Sequence, residues 1–93
     1  MHAIIVEVKV DSAREEEAQR MLREMVVPRA KARPGFTAGY WVRALQGDAL
    51  RTVELFDSED NARAAAEQIS EGPPPGAPVT LESIEIYEVL AHA

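Results

Sequence analysis

Residues that could bind an anion or an aromatic ligand concentrate in one stretch of the sequence. The segment Arg33–Trp41 (RPGFTAGYW) holds three of the five aromatic residues, and Arg43 follows two positions later. A guanidinium group beside aromatic rings can stabilise a phenolate or an enolate, and it can equally form a salt bridge at a surface. Arg43 is therefore the first candidate for a functional residue.

Two further polar residues are candidates because they lie in apolar stretches. Glu54 falls in LRTVELF, where a carboxylate is either solvated, paired with Arg43 or Arg51 across a hairpin, or a base with a perturbed pKa. Of these three states, pairing is favoured. Tyr87 falls in IEIYEVL and carries a hydroxyl that needs a hydrogen-bond partner if it is buried. Arg43, Glu54 and Tyr87 form the candidate catalytic set.

The aromatic side chains are candidates for contact with a hydrophobic substrate. Successive strand residues point to opposite faces of a sheet, so Phe36 and Tyr40 are predicted on one face and Trp41 on the other. Phe56 ends the stretch that contains Glu54. Each of the four rings either lines a ligand cavity or packs a core or a subunit interface, and packing is the simpler role.

The sequence predicts neither a metal site nor a cofactor. It contains no cysteine, and its two histidines, His2 and His92, lie near the two ends of the sequence. No spaced group of His, Asp and Glu has the pattern of metal ligands.

The distribution of charge along the sequence indicates which classes of binding partner are expected. The net charge of −6 repels phosphate backbones, so nucleic-acid binding is not expected. Between Pro28 and Leu45, however, there is no acid and there are four cations: Arg29, Lys31, Arg33 and Arg43. This basic segment is either a solvated loop or a site for an anion or a partner.

The length of 93 residues corresponds to one domain over positions 1–93. The N-terminal stretch MHAIIVEVKVDS lacks a charged leader region, and Glu7 and Lys9 interrupt its apolar run. Neither a signal peptide nor a membrane span is expected there. The expectation is a cytoplasmic protein that does not contact membranes.

Hydrophobic periodicity predicts four strands and two helices. The strands cover positions 3–10, 36–45, 50–56 and 79–90, and a loop is predicted over 29–35. The first helix begins near Ser12, which has capping-box spacing with Glu15, and Pro28 stops it from continuing much further. The second helix begins at Asp57 or Ser58, and its alanines let it lie close to a sheet. The apolar stripes are Ala18, Met21, Leu22, Met25 and Val26 in the first helix, and Ala62, Ala65, Ala66 and Ile69 in the second.

The order βαββαβ predicts the ferredoxin-like α+β fold, a four-stranded antiparallel sheet with both helices on one face. If Val6, Val8 and Val10 meet the helices, the other face is bare in a monomer and carries Ile5. We expect a homodimer in which two such faces pack together, because water does not favour so large an apolar surface. The other candidates for the bare face are Trp41, Phe56, Leu81, Tyr87 and Val89.

Three segments that span nearly the whole chain resemble one superfamily. They are AIIVEVKVDSAREEEAQRMLREM, ARPGFTAGYWVR and TVELFDSEDNARAAAE. The chain resembles the dimeric α+β barrel superfamily, and within it the antibiotic biosynthesis monooxygenase-like proteins. These segments mark the fold and contain no catalytic signature.

The resemblance implies a set of activities to choose from. The superfamily includes cofactor-independent, quinone-forming monooxygenases, heme-degrading enzymes, isomerases and small proteins with no known reaction. The heme-degrading branch relies on an Asn in strand one, a Trp and a His in helix two. Here the only Asn is Asn61, and no His lies in either predicted helix. Heme degradation is therefore not expected.

Two functional hypotheses remain. The first is a cofactor-independent monooxygenase that acts on a hydrophobic aromatic or polyketide-like substrate. The second is a non-enzymatic dimeric ligand-binding or accessory protein, which the residues alone favour because no acid–base constellation is closed. An apolar cavity that receives Arg43 or a tyrosine hydroxyl would favour the first hypothesis. The polar groups available to line it are Tyr40, Trp41, Arg43, Glu54 and Tyr87.

Overall fold

Four strands and two helical stretches follow one another in the order that the periodicity predicts. The computed structural model describes every residue from Met1 to Ala93. The strands are β1 (His2–Val10), β2 (Phe36–Arg43), β3 (Ala49–Phe56) and β4 (Val79–Glu88). The helical elements are a 3₁₀ turn (Ser12–Arg14), α1 (Glu15–Met21), a π-helical segment (Leu22–Val26), α2 (Val27–Lys31) and α3 (Glu59–Ser70).

The four strands form one sheet in the order β2-β3-β1-β4, with every neighbouring pair antiparallel. The helices cover one face of this sheet. This is the ferredoxin-like arrangement, so the predicted fold class is confirmed.

The core lies between the sheet and α3. The alternating apolar set of β1 faces the helices as predicted, with Ile4 completely buried and Val6 nearly so. These two residues join Phe56 of β3 and two alanines of α3 in one hydrophobic cluster, whose alanines are Ala62 and Ala65. Ser58 caps α3 by accepting a hydrogen bond from the backbone N–H of Asn61.

A β-bulge changes the faces of β2. The pairing of β2 with β3 shifts register between Phe36 and Ala38, which adds one residue to the bulged strand. As a result, Phe36 and Trp41 lie on the helix-covered face, and Tyr40 lies on the other. The prediction that Phe36 and Tyr40 share a face is wrong, because strict alternation does not hold across a bulge. Phe36 packs edge-on against Phe56, with ring centroids 6.0 Å apart.

The first helix consists of α1, the π-helical segment and α2, which follow one another without a break and are called the first helix below. The 3₁₀ turn that leads into it is capped by Asp11, whose side chain accepts from the backbone N–H of Ala13, so the predicted cap at Ser12 is wrong. The helix also continues to Lys31 instead of giving way to a loop after Pro28. Pro28 stands in the first turn of α2, where its missing N–H is tolerated.

The face of the sheet opposite the helices is uncovered. Trp41, Phe56 and Leu81 lie on the helix-covered face, so their suggested place on the bare face is wrong. The uncovered face, called the open face below, carries Ile5, Val53 and Leu55 together with the exposed Tyr40, Val42 and Tyr87. None of the helices combines the length and the apolar character needed to cross a membrane.

Candidate functional site

A cavity of about 470 Å³ separates the first helix from the sheet. Its floor is the helix-covered face of β1 and β3, and the apolar stripe of the first helix forms its opposite wall. The end of α3 and the connector that follows it, including Pro73 and Pro74, close one side. Cavities of 300–1,000 Å³ are typical of sites for small molecules. Fourteen lining residues are hydrophobic: Val6, Val8, Val10, Ala18, Met21, Leu22, Met25, Val26, Trp41, Val42, Leu50, Ile69, Val79 and Leu81.

The buried acid in the wall of the cavity is Glu54. It is 3% exposed, and Arg33 donates a hydrogen bond from Nη1 to its Oε1 at 3.0 Å. Pairing of Glu54 is therefore confirmed, but with a different partner from the two that were predicted. Arg43 and Arg51 pair elsewhere, with Glu15 and Glu7.

The environment of Glu54 disfavours its charged form. Burial raises the pKa of Glu54 above its ordinary value of 4.5, and the charge and hydrogen bond of Arg33 offset only part of that effect. A carboxylate with a raised pKa is a stronger base once it is ionised. Glu54 can therefore accept a proton from a weakly acidic group that enters the cavity.

Trp41 lines the cavity from β2, opposite Thr52 of β3. The indole Nε1–H is buried and has no hydrogen-bond partner. Gly39 makes room for the ring, since a Cβ there would lie 2.8 Å from Trp41 and 3.0 Å from Phe36. Glycine at this position thus keeps Trp41 against the cavity wall.

The salt bridge between Arg43 and Glu15 joins the last residue of β2 to the first residue of α1. Both residues line the cavity, and each side chain is about half exposed, 53% for Arg43 and 48% for Glu15. Arg43 therefore meets the cavity at its solvent-exposed rim, and its charge is already paired.

Several candidate residues lie away from the cavity. Tyr40 and Tyr87 are on the open face, 61% and 43% exposed, and the Tyr87 hydroxyl donates to Glu85. This hydrogen bond raises the pKa of the Tyr87 hydroxyl. Phe36 and Phe56 pack in or against the core and do not line the cavity. The cavity thus brings together Trp41, Arg43 and Glu54 of the candidate set.

Arg33 belongs to the candidate site, although sequence patterns did not single it out. It follows the first helix and reaches the middle of β3, where only 16% of its side chain is exposed. The signal was the basic segment of positions 29–43, but sequence spacing does not show which of its cations turns inward. The helix continues past Pro28 and the chain then crosses over to β2, and this path determines that Arg33 is the cation that turns inward.

Solved structures share this fold. MhuD, a heme-degrader from Mycobacterium tuberculosis solved with two hemes in its active site, has a TM-score of 0.77 at 18% identity, covering 100% of this chain and 99% of MhuD. A monooxygenase from the ActVA-Orf6 gene of Streptomyces coelicolor, solved with nanaomycin D, has a TM-score of 0.61 at 17% identity, covering 99% and 89%. A dimeric ferredoxin-like protein from an uncultured marine organism has a TM-score of 0.65 at 14% identity, covering 100% and 98%.

No family model matches the chain, and no curated protein matches it. At identities between 14% and 18%, the likeness to these structures establishes a shared fold. The fold implied by the resemblance to antibiotic biosynthesis monooxygenase-like proteins is thereby confirmed.

The donor set of the cavity does not suit heme. Proteins hold heme iron through His, a Cys thiolate, a Met/His pair or Tyr. The cavity is lined by Met21 and Met25, but by no histidine, cysteine or tyrosine. The groups that this site offers for chemistry are the carboxylate of Glu54, the guanidinium groups of its arginines and the indole of Trp41.

Proposed function

We propose that the cavity binds a hydrophobic aromatic or polyketide-like molecule and that the protein oxidises it with O₂ as a cofactor-independent monooxygenase. The observation that carries this proposal is the buried Glu54–Arg33 pair in the wall of a cavity of about 470 Å³ that has 14 hydrophobic lining residues. The monooxygenase of Streptomyces coelicolor supports it, because that protein has the same fold and was solved in complex with nanaomycin D.

The residues suit a reaction that begins with proton removal from the substrate. Glu54 accepts a proton from an acidic CH₂ or OH group of the substrate, and Arg33 stabilises the resulting anion. O₂ then takes electrons from that anion. For a CH₂ group, one oxygen atom becomes the new carbonyl oxygen and the other leaves as water with the two hydrogens. The burial of Glu54 strengthens its charge interaction with Arg33.

We also propose that the protein is a homodimer held together by the open face. Tyr40 and Val42 are 61% and 51% exposed and lie beside Val53 and Leu55 on one apolar surface. Such a surface is typical of subunit interfaces. Sedimentation of the wild type should give a dimer, and Tyr40→Glu should shift it toward the monomer; a wild type that is monomeric at micromolar concentration would contradict this part.

Oxygen consumption with an anthrone tests the proposed reaction. Wild type should consume O₂ and release the anthraquinone, and Glu54→Gln should lower kcat by about 100-fold, because general base catalysis contributes that much or more. The activity should rise with pH as Glu54 ionises. Glu67→Gln, an exposed change on α3, is the matched control and should keep the wild-type rate.

The result also decides between an enzyme and a binding protein. If anthrone binds but no O₂ is consumed above the uncatalysed rate, the protein is a ligand-binding protein and the monooxygenase proposal fails. Equal rates in Glu54→Gln and wild type would show that the protein turns over the substrate without Glu54 as its general base.

A further inference from the structure

We propose that the ligand carries a permanent carboxylate in addition to its reacting group, and that Arg29 and Arg33 bind this carboxylate at the helix wall of the cavity. The inference rests on the proposed use of this cavity as a ligand site. It narrows the ligand from a hydrophobic aromatic molecule to an aromatic carboxylic acid.

The donors of Arg33 are not all used within the protein. A guanidinium group has five N–H donors, and the hydrogen bond from Nη1 to Glu54 is the one that Arg33 makes from its side chain. Its Nε–H is buried without a partner. Buried N–H groups usually have an acceptor, so this guanidinium has capacity for a second anionic partner.

Arg29 adds a second cation on the same side of the helix end. It lies four residues before Arg33, both residues line the cavity, and Arg29 has no carboxylate within 4.0 Å. Glu54 pairs with Arg33, whereas Arg29 pairs with no carboxylate, so an anionic ligand would balance the charge of Arg29.

The position at the end of the first helix does not by itself explain these arginines. Cations are favoured at the C-terminal end of any helix, and Lys31 occupies that end without lining the cavity. Arg29 and Arg33 differ from Lys31 in facing the cavity. In a chain of net charge −6, this local excess of positive charge is a specific feature of the binding site.

The apolar lining defines the rest of the ligand. Met21, Met25 and Trp41 offer flexible and aromatic surfaces to a ring system. A carboxylate held by two arginines would fix the orientation of that ring system relative to Glu54, since arginine binds carboxylates in a fixed geometry. An aromatic acid satisfies both parts of the cavity, whereas a neutral aromatic molecule leaves the arginines without an acceptor.

Calorimetric titration with two isosteric probes tests the inference. 2-Naphthoate and 2-naphthamide share one shape and differ in charge. Wild type should bind the naphthoate at least about tenfold more tightly, the effect of one charged hydrogen bond. Arg29→Met should remove most of this preference and leave the affinity for the amide unchanged. The preference should also fall as salt rises.

Lys31→Met is the matched control, because it removes one positive charge from the same helix end. It should leave both affinities as in the wild type. Equal affinities of wild type for the two probes, no measurable binding of the naphthoate, or equal losses in Arg29→Met and Lys31→Met would overturn the inference. Turnover is measured separately. Charge-selective binding without O₂ consumption would support this inference and contradict the monooxygenase proposal. Turnover of a neutral anthrone without charge-selective binding would support the monooxygenase proposal and contradict this inference.

Discussion

The two helical stretches cover the same face of the sheet in different ways. α3 presents Ala62 and Ala65, which are buried in the core cluster against Ile4 and Phe56. The first helix contributes no residue to that cluster, and its longer side chains border the cavity instead. Small residues bring α3 into contact with the sheet, while larger side chains of α1 and of the π-helical segment line the cavity. The α2 part of the first helix returns to the sheet, with Ala30 completely buried.

The difference extends to the backbone. α3 is a regular helix of 12 residues with a Ser58 cap, whereas the first helix changes from α to π at Leu22 and back to α at Val27. Single π turns within α-helices are frequent at functional sites. α3 is thus the helix of the core cluster, and the first helix is the one that supplies most of the helical residues lining the cavity.

The largest effect should come from enlarging a buried alanine on each helix. Ala62→Leu forces a side chain into the filled core, and it should lower the free energy of unfolding by about 3 kcal/mol. Ala18→Leu, at a buried alanine that borders the cavity, should change it by less than about 1 kcal/mol because the new side chain has space. Urea unfolding of the two variants measures the difference. Similar losses in both would mean that the first helix packs as tightly as α3.

A smaller effect is expected at Gly39, which separates the rings of Phe36 and Trp41. Gly39→Ala places a Cβ within 2.8 Å of Trp41, so the indole must shift. The expected loss of stability is about 1–2 kcal/mol, together with weaker binding of 2-naphthoate in the calorimetric titration. Unchanged binding would indicate that Trp41 does not shape the ligand site.

The smallest effect concerns pH, and it has opposite signs inside and outside the cavity. Burial raises the pKa of Glu54 in the folded state. At pH values between the unfolded and the folded pKa, the folded state therefore still holds a proton that the unfolded state has released. The stability of wild type relative to Glu54→Gln should therefore fall as pH rises above about 4.5. A hydrogen bond from Arg63 lowers the pKa of the exposed Glu59, so the stability of wild type relative to Glu59→Gln should fall as pH decreases below the ordinary value. Urea titrations at several pH values measure both slopes, and slopes of the same sign would contradict the assignment for Glu54.

The fold could be predicted because it depends on patterns that are local in sequence. The alternation in β1 predicts which face of the strand is buried, and the alanine stripe predicts which face of α3 packs against the sheet. Both predictions are confirmed. The faces of Phe36 and Trp41 were not predictable in the same way. A single extra residue at the bulge reverses the alternation, and no residue type in RPGFTAGYW marks its position.

The candidate site was predicted in part, because it depends on contacts between distant segments. Trp41 and Glu54 are large or charged residues within strands, and that feature alone identified them. The partner of Glu54 lies 21 residues away, in a segment where Arg29, Lys31 and Arg33 are equivalent by composition. Tyr40 and Tyr87 have the same chemical character as the residues of the site, yet the sheet places them on its other face.

The central claim is that the cavity between the first helix and the sheet is the ligand site. Trp41 is the only tryptophan, so its indole N–H gives a single resonance in a ¹H–¹⁵N correlation spectrum. On titration with 2-naphthoate, this resonance should shift progressively and saturate together with the backbone signals of Leu22–Val26. An indole resonance that stays unchanged at saturating ligand, with shifts confined to Tyr40, Val53 and Tyr87 of the open face, would contradict the claim.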